Sequence, residues 1–430
     1  MTELSRTEDQ GTANVTEEQR HFTVDGHVPR AVLFPESVEQ VSEVLYNANK
    51  QRSAVVSTGL GAFLHLGMPP RQYDTALSLQ RLDRILDYQP TDMTVTVEAG
   101  LPLARLQQIL GEHGQWLPID PPLPEQVTVG GLIATNLSGP ARLSQGTIRD
   151  FLIGLKAVRA DGTVIKGGGR VVKNVAGYDV PKLFCGSLGT LGVISEATFK
   201  VRPKPETQTV LSLCFPSAQP AMDFALTILQ SELQPFFMEL ANFSPVDAHN
   251  DNSSHHLLIG FVGVSEEVQY QDSRVREIAQ GHVVQTWKDG GGQLVQTLRD
   301  FPVSDSAVLR CKMSVLPDRV ATFCKEIETE AAARGFFVHL LARAGNGIIF
   351  SRFTSVDATP SEQLPSFVDW MRILTKRLEG YLVVEDIAPA LKERVNVWGH
   401  VGGTLPLMKR LKDTLDPNGI LNPGRFVGGI

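Results

Sequence analysis

Cysteine is scarce and scattered: four residues in 430, at Cys185, Cys214, Cys311 and Cys324, with no pair two or three residues apart. That spacing excludes a disulfide framework, an iron–sulfur cluster and a C-x-x-C zinc site built by this chain, and no metal site is expected. Lone buried thiols are the expectation. There is no dense Lys/Arg run, and the net charge is −7, so nothing supplies the positive excess that nucleic-acid binding requires. Long apolar runs are missing too. The longest stretch without a charge, Ser53 to Pro70, holds three Gly, two Pro and a His, which no lipid-spanning helix carries together. Residues 1–20 are polar and lack an apolar h-region, and read as a flexible tail rather than a secretory signal. A cytoplasmic location is expected. What remains is ordinary: 42% apolar and 20% charged residues, enough for two or three packed domains.

The order of patterns suggests an α+β chain. PESVEQVSEVLYNANKQ, from Pro35, repeats Val38, Val41, Leu45 and Ala48 at helical spacing, with the proline in the first turn. A short apolar run, Ala54 to Val56, leads into the loop Ser57 to Gly67. TVTVEAG from Thr94 alternates as a strand, and the next helix turns Leu103, Leu106 and Leu110 inward before Gly111 or Gly114 stops it. From Phe151 two strands join at Asp161-Gly162, and VISEATFKVRPKP ends at Pro203 and Pro205, which mark a domain boundary. Strand-like runs at Val210–215, Leu257–262, Phe336–341 and Ile348–350 follow, with a helix from Pro317 to Gly335. The expected division is a tail 1–20, a first domain 21–205, a second domain 206–389 and a C-terminal segment 390–430.

Three glycine-bearing loops stand out in the first half. In STGLGAFLHLG, Gly59 and Gly61 sit beside Ser57 and Thr58, where backbone N–H groups can converge on a diphosphate. Leu64 replaces the third glycine of a nicotinamide fingerprint, so a Rossmann fold is not expected. The stretch Ile119 to Pro140 joins a proline-rich turn to Thr128, the pair Gly130-Gly131, and the polar set Asn136, Ser138 and Gly139; the glycine pair offers a second bundle of free N–H donors. The third loop carries Gly177, Gly186, Gly189 and Gly192 with Lys173, Asn174 and Asp179. Together they suggest one extended cofactor with phosphates and a planar ring.

Residues 26–205 resemble the PCMH-type FAD-binding domain of the vanillyl-alcohol oxidase and para-cresol methylhydroxylase superfamily. KNVAGYDVPKLFCGSLGTLGVISEATFKVRPKPE resembles its glycolate oxidase and D-lactate dehydrogenase branch, and LKDTLDPNGILNPGRF is similar to the superfamily's ending. The resemblance implies FAD between two α+β subdomains, with a cap domain whose antiparallel sheet, flanked by helices, covers the flavin ring. It assigns the pyrophosphate to Ser57, Thr58, Gly59, Leu60, Gly61, Ala62 and Phe63. Pro121, Thr128, Gly130, Gly131, Asn136 and Gly139 are assigned to the adenosine-to-flavin path, Ile194 to the adenine side, Asn422 to the flavin, and Gly192 of the third loop to the cofactor site as well. Members with covalent flavin carry a His where Ala62 stands, so noncovalent FAD is expected, and His65 is not an obvious substitute.

The departures bear on activity. Branch members with the cap motif H-x-G-D-G-N-x-H hold a metal beside the substrate carboxylate; the matching stretch ARAGNGIIF has Arg343, Asn346 and Phe350 instead. The EHG motif that supplies the proton acceptor has no counterpart near YLVVEDIAPALKERV. Losing both the base and the carboxylate anchor costs turnover heavily. An intact FAD half with such a cap resembles the E-type FAD-binding subunits of bacterial glycolate oxidase. The resemblance implies oxidation of glycolate, a small 2-hydroxy acid, to glyoxylate, with a D-type flavoprotein subunit and an iron–sulfur F-type subunit as partners and a non-NAD electron acceptor. Contact with the inner membrane would be peripheral, through those partners. Two alternatives stand beside it: a self-sufficient FAD-dependent 2-hydroxyacid dehydrogenase, and a flavin-free assembly scaffold.

Catalytic candidates are few. Arg343 could grip a carboxylate through two bonds, although an arginine after an apolar strand is more often a solvated rim residue. His400 could approach the flavin or serve as a satisfied structural histidine. His255 and His256 point to opposite faces of a strand and are expected at the surface. Gly290, Gly291 and Gly292 read as a flexible turn, with no strand-to-helix frame.

Overall fold

The computed structural model describes residues 15–169, 179–245, 255–288, 290–304, 307–355 and 362–430. Lys173, Asn174 and Gly177 of the third glycine loop lie outside them.

The first half holds a three-stranded and a five-stranded sheet and one short strand pair. β1 (Ala31–Leu33), β2 (Val55–Thr58) and β3 (Thr75–Ser78) are parallel in the order β1-β3-β2. The helix Val38–Gln51 crosses between the first two of them, burying Val41, Leu45 and Ala48. It starts later than its sequence pattern suggests: the Ser37 hydroxyl accepts from the Gln40 N–H, so the serine caps the helix and Pro35 stays outside. β4 (Ile85–Gln89), β5 (Thr94–Glu98), a short β6 (Gln115–Trp116), β7 (Leu152–Val158), β8 (Val164–Gly168) and β9 (Val193–Lys200) follow. Five of them form an antiparallel sheet ordered β4-β5-β9-β7-β8. β7 and β8 make the hairpin expected at Asp161-Gly162, with Gly162 at φ +83°. β10 (Arg202–Pro203) pairs with β6 on the way out.

The second half is one eight-stranded sheet. β11 (Thr207–Phe215), β12 (Phe237–Ala241), β13 (His255–Gly263), β14 (Val284–Trp287), β15 (Leu309–Ser314), β16 (Phe336–Arg343), β17 (Ile348–Ser355) and β18 (Tyr381–Ile387) lie antiparallel in the order β14-β11-β13-β12-β16-β17-β15-β18. Alternation splits its side chains between two faces. Leu211, Met238, Ile259, Met313, Leu340 and Phe353 pack with the helices Ala218–Gln230, Val320–Ala333 and Leu364–Arg377 into the largest core. The opposite face, with Phe237, Leu258, Leu341 and Phe350, packs on Ala141 and Trp116 of the first half.

Three groups of local expectations change. Gly290–292 is framed by β14 and the helix Gly292–Asp300, a strand–turn–helix after all, with Gly291 at φ +69° as the turn. His255 is buried and shares its Nε2 proton with Glu328 at 3.2 Å, because the helix Val320–Ala333 covers that end of β13; His256 is half-buried. Cys214 is exposed on β11 and Cys185 half-buried, whereas Cys311 and Cys324 are the buried thiols. Among the described residues no helix is long and apolar enough to cross a membrane.

Candidate functional site

The C-terminal ends of the parallel strands open on the first glycine loop. β2 ends at Thr58, and among the described residues no acceptor is recorded for the N–H groups of Gly59, Leu60, Gly61, Ala62 and Phe63. Five consecutive free donors on a loop after a strand make an anion nest. Two adjoining clefts, of about 550 and 360 Å³ and open to solvent, lie against this loop. They share Ser57, Thr58, Gly59, Thr128, Gly131 and Gly189 as walls.

The glycines are fixed mainly by close approach. A Cβ on Gly59 would stand 2.2 Å from Thr128 Oγ1, and one on Gly189 2.6 Å from both Ser57 Oγ and Asn422 Nδ2. The second loop departs from expectation: the Gly130 N–H donates to Ala99 O at 2.7 Å and the Gly131 N–H to Thr128 Oγ1 at 3.2 Å. Thr128 caps the helix Val129–Thr135 by taking the Gly131 N–H, and Ala99 O takes the Gly130 N–H, so neither donor that the sequence seemed to leave free remains so. Gly130 is needed because its missing side chain faces Ala99 Cβ at 2.8 Å.

The chain's end closes the site from behind. The Asn422 N–H donates to Val55 O, and the Asn422 amide reaches Ser57 Oγ at 3.4 Å. Arg425, 6% exposed, donates to Leu64 O at 2.5 Å and Leu66 O at 2.8 Å. Lys392 pairs with Asp25 at 2.7 Å and donates to His65 O at 2.5 Å. Lys412 is spent on Asp416, Thr190 O and Leu421 O. Buried cations thus tie the C-terminal segment to the first and third glycine loops. Burial lowers the His65 pKa to about 4, so this imidazole is neutral at physiological pH.

Of the residues singled out in the sequence, Ser57 to Phe63, Thr128, Gly130, Gly131, Gly192 and Ile194 line the clefts. Pro121, Asn136 and Gly139 do not. The Asn136 Oδ1 is buried without a partner among the described residues, and a Cβ on Gly139 would strike Asp120 O at 1.8 Å. Arg425, Gly189 and Leu188 also line the larger cleft; the first had only its place in the terminal GRF run to announce it.

The two catalytic candidates separate. His400 is exposed on the loop after the helix Pro389–Val395. Arg343 is no rim residue: it is 3% exposed, because its end of β16 is covered by the first half. Its guanidinium donates to Ser138 Oγ at 3.0 Å and Ser138 O at 2.5 Å, and lies 4.9 Å from the Phe350 ring centroid. Glu239, its register partner on β12, is 3.7 Å from Arg343 Nε, too far for a hydrogen bond. Desolvation outweighs that charge and pushes the Glu239 carboxyl up to about 8; Asp120, nearby, rises to about 6 for the same reason. Arg343 therefore spends its donors on the Ser138 loop. Asn346 sits in the β16–β17 turn, its Oδ1 accepting from the Ile348 N–H, and among the described residues no cluster of three His, Cys, Asp or Glu side chains is placed to hold a metal.

Comparison with known proteins agrees with this architecture. Residues 29–168 match the FAD binding domain, and residues 204–426, just over half the chain, match the C-terminal domain of FAD linked oxidases. The chain is 28% identical over 431 residues to glycolate oxidase subunit GlcD of Bacillus subtilis, covering 93% of this chain and 89% of that protein. It is 27% identical to the mitochondrial D-lactate dehydrogenase [cytochrome] of Arabidopsis thaliana over 95% of this chain and 75% of the relative. Glycolate oxidase subunit GlcE of Escherichia coli is 35% identical over 199 residues, 46% of this chain and 54% of that subunit. Among solved structures an alkyldihydroxyacetonephosphate synthase superposes with a TM-score of 0.69 at 18% identity, covering 91% of this chain and 76% of the other, a likeness of fold. The nest of free donors suits a diphosphate and the glycine-walled clefts suit a flat ring, and with both family domains matched the chain belongs to the FAD-linked oxidases: it is an FAD-dependent oxidoreductase of the PCMH-type fold.

Proposed function

We propose that this protein is the FAD-binding subunit of a complex that oxidises glycolate to glyoxylate and passes electrons to a non-NAD acceptor through an iron–sulfur partner. The observation that carries the reading is an FAD cleft with its anion nest complete beneath a cap in which Arg343, Asn346 and Phe350 stand where a metal-holding cap needs ligands. The 35% identity to a GlcE subunit over 199 residues supports the choice of subunit. FAD, when bound, supplies the acceptor for the hydride of a 2-hydroxy acid. The chain's own residues do the holding. The free N–H groups from Gly59 to Phe63 neutralise the pyrophosphate, Thr128 and Gly189 narrow the walls, and Ile194 offers its main chain at the far end. Ala62 cannot form a bond to a flavin, so the FAD is held noncovalently.

On this reading residues 21–205 form the flavin domain, 206–389 the cap and 390–430 a segment that returns to the flavin loops, as the bonds of Arg425, Lys392 and Lys412 support. The partners are a D-type flavoprotein subunit and an F-type iron–sulfur subunit, and the complex works in the cytoplasm or peripherally at the inner membrane. A self-sufficient 2-hydroxyacid dehydrogenase is the second reading, favoured by similarity to a D-lactate dehydrogenase over 95% of the chain. Anaerobic absorbance decides between them. We expect an oxidised flavin spectrum that stays oxidised when glycolate or D-lactate is added to the chain alone and bleaches once the partner subunits are present. Bleaching of the isolated chain would establish the second reading, and a colourless protein would refute both.

A further inference from the structure

The anion nest owes its direction to its carbonyls. A trans peptide points its C=O and N–H opposite ways, and among the described residues no peptide bond is cis. A partner that holds a carbonyl therefore aims the N–H of the next residue. Four consecutive carbonyls of the first glycine loop are held in this way: Thr58 O by the Leu79 N–H at 2.9 Å, Gly59 O by the Ser78 hydroxyl at 2.8 Å, Leu60 O by His21 Nε2 at 3.0 Å, and Gly61 O by the Leu64 N–H at 3.3 Å. The N–H groups of those same peptides are the donors of Gly59, Leu60, Gly61 and Ala62, which have no acceptor among the described residues. A carbonyl oxygen only accepts, so His21 Nε2 carries the proton.

Ser78 ends β3, Leu79 follows it and Leu64 belongs to the loop, so those holders come with the strands. His21 does not. It ends the helix Glu17–His21, ahead of residues 29–168 that match the FAD binding domain, and the sequence presents the start of that helix as part of a tail. The structure anchors the helix firmly. Phe22, 2% exposed, packs with Val56, Leu64 and Tyr73, and the Tyr73 hydroxyl donates to Phe22 O at 2.8 Å. A capping box of Thr16 and Gln19 closes the first turn, and Gln19 Nε2 donates to Pro29 O at 2.9 Å. The Phe22 and His21 rings meet edge to face with centroids 4.6 Å apart.

His21 holds the peptide that is least able to hold itself. Gly61 stands at φ +88°, and glycine adopts either sign of φ about as readily, so the plane between Leu60 and Gly61 is free to turn over. Turned over, it would aim the Leu60 carbonyl at the cleft, and an anion there would meet a negative dipole end instead of a donor. His21 is exposed and stands outside the walls of both clefts, so its influence passes through that peptide.

We propose that His21 is a positioning residue for FAD, fixing the Leu60–Gly61 peptide so that the Gly61 N–H faces the pyrophosphate. The proposal rests on the assignment of the Gly59–Phe63 nest to that group, and it extends the flavin site to a side chain outside the cleft.

The test combines calorimetric titration of the FAD-free full chain with FAD and phosphorus NMR of the chain saturated with FAD. In the wild type we expect both FAD phosphorus resonances to be displaced from their positions in free FAD. His21→Ala weakens FAD binding by about five- to tenfold and moves at least one bound resonance toward its free position. His21→Gln, whose amide nitrogen lies as many bonds from Cα as His21 Nε2, restores both. Thermal melting shows that each variant is folded. A residue that merely steadied the helix would lower the Tm and leave the resonances of bound FAD in place. Unchanged affinity in His21→Ala, bound resonances that do not move, or a His21→Gln that behaves like His21→Ala overturns the proposal and spares the nest. Wild-type resonances at the free positions, or a wild-type chain that takes up no FAD, would overturn the nest assignment and the proposal with it.

Discussion

At the scale of single residues, packing and charge decide what a glycine or an arginine is for. Gly59 reads in the sequence as a phosphate-loop glycine, but the structure shows that its Cβ would collide with Thr128 Oγ1 at 2.2 Å. Gly59→Ala must push the two loops apart, at a cost of about 1–3 kcal/mol, and the first property lost is the cleft. Purified Gly59→Ala is expected to have a lower Tm and to retain little flavin; full FAD content would show that the loops do not need that contact. Glu239 predicts a pH effect. Its folded pKa, about 8, lies above that of the unfolded chain, so the native state holds the proton more tightly. Ionisation therefore costs stability progressively from about pH 4.5 to about pH 8. Asp120, raised to about 6, adds to the same decline at its acidic end. Chemical denaturation across this range should show wild-type stability falling with pH and Glu239→Gln flattening the slope; parallel curves would mean that Arg343 keeps Glu239 ionised.

At the scale of elements, one helix positions the site: Leu405–Leu415, whose Lys412 reaches Thr190 O and Leu421 O while pairing with Asp416 one turn on. Helical spacing announces that Lys412 and Asp416 can meet, but nothing local announces that both are buried. Lys412→Met leaves Asp416 without its cation and two carbonyls without a donor, and should cost about 3–5 kcal/mol. Urea unfolding would measure it, and faster FAD release is expected because the third glycine loop loses its tie. A cost below about 1 kcal/mol would mean that water replaces the ammonium.

At the scale of the molecule, the cap is docked on the flavin half through a polar contact inside an apolar face. Arg343 reaches across to Ser138, surrounded by Phe350, Leu341 and Ala141. Arg343→Met forfeits two charged hydrogen bonds, about 2–4 kcal/mol, whereas Ser138→Ala loses only the one to the hydroxyl and should cost about half as much. Denaturation of both variants tests this, and equal losses would show that the backbone bond carries nothing. The sequence could not locate this contact, since 205 residues separate its partners and an arginine after an apolar strand most often faces water.

What the sequence determined by itself is the local grammar. Periodicity and turn chemistry place the helix that buries Val41, Leu45 and Ala48, the hairpin at Asp161-Gly162 and the strand after Val193, and glycine spacing marks the loops that wall the clefts. These depend on interactions within a few residues, which a linear pattern records. Only the tertiary structure decided that the Gly130 and Gly131 donors are consumed and that Arg343 and His255 are buried while His400 is not. Burial and charge pairing arise from segments far apart in the chain, and the desolvation that sets their chemistry exists only once those segments have come together.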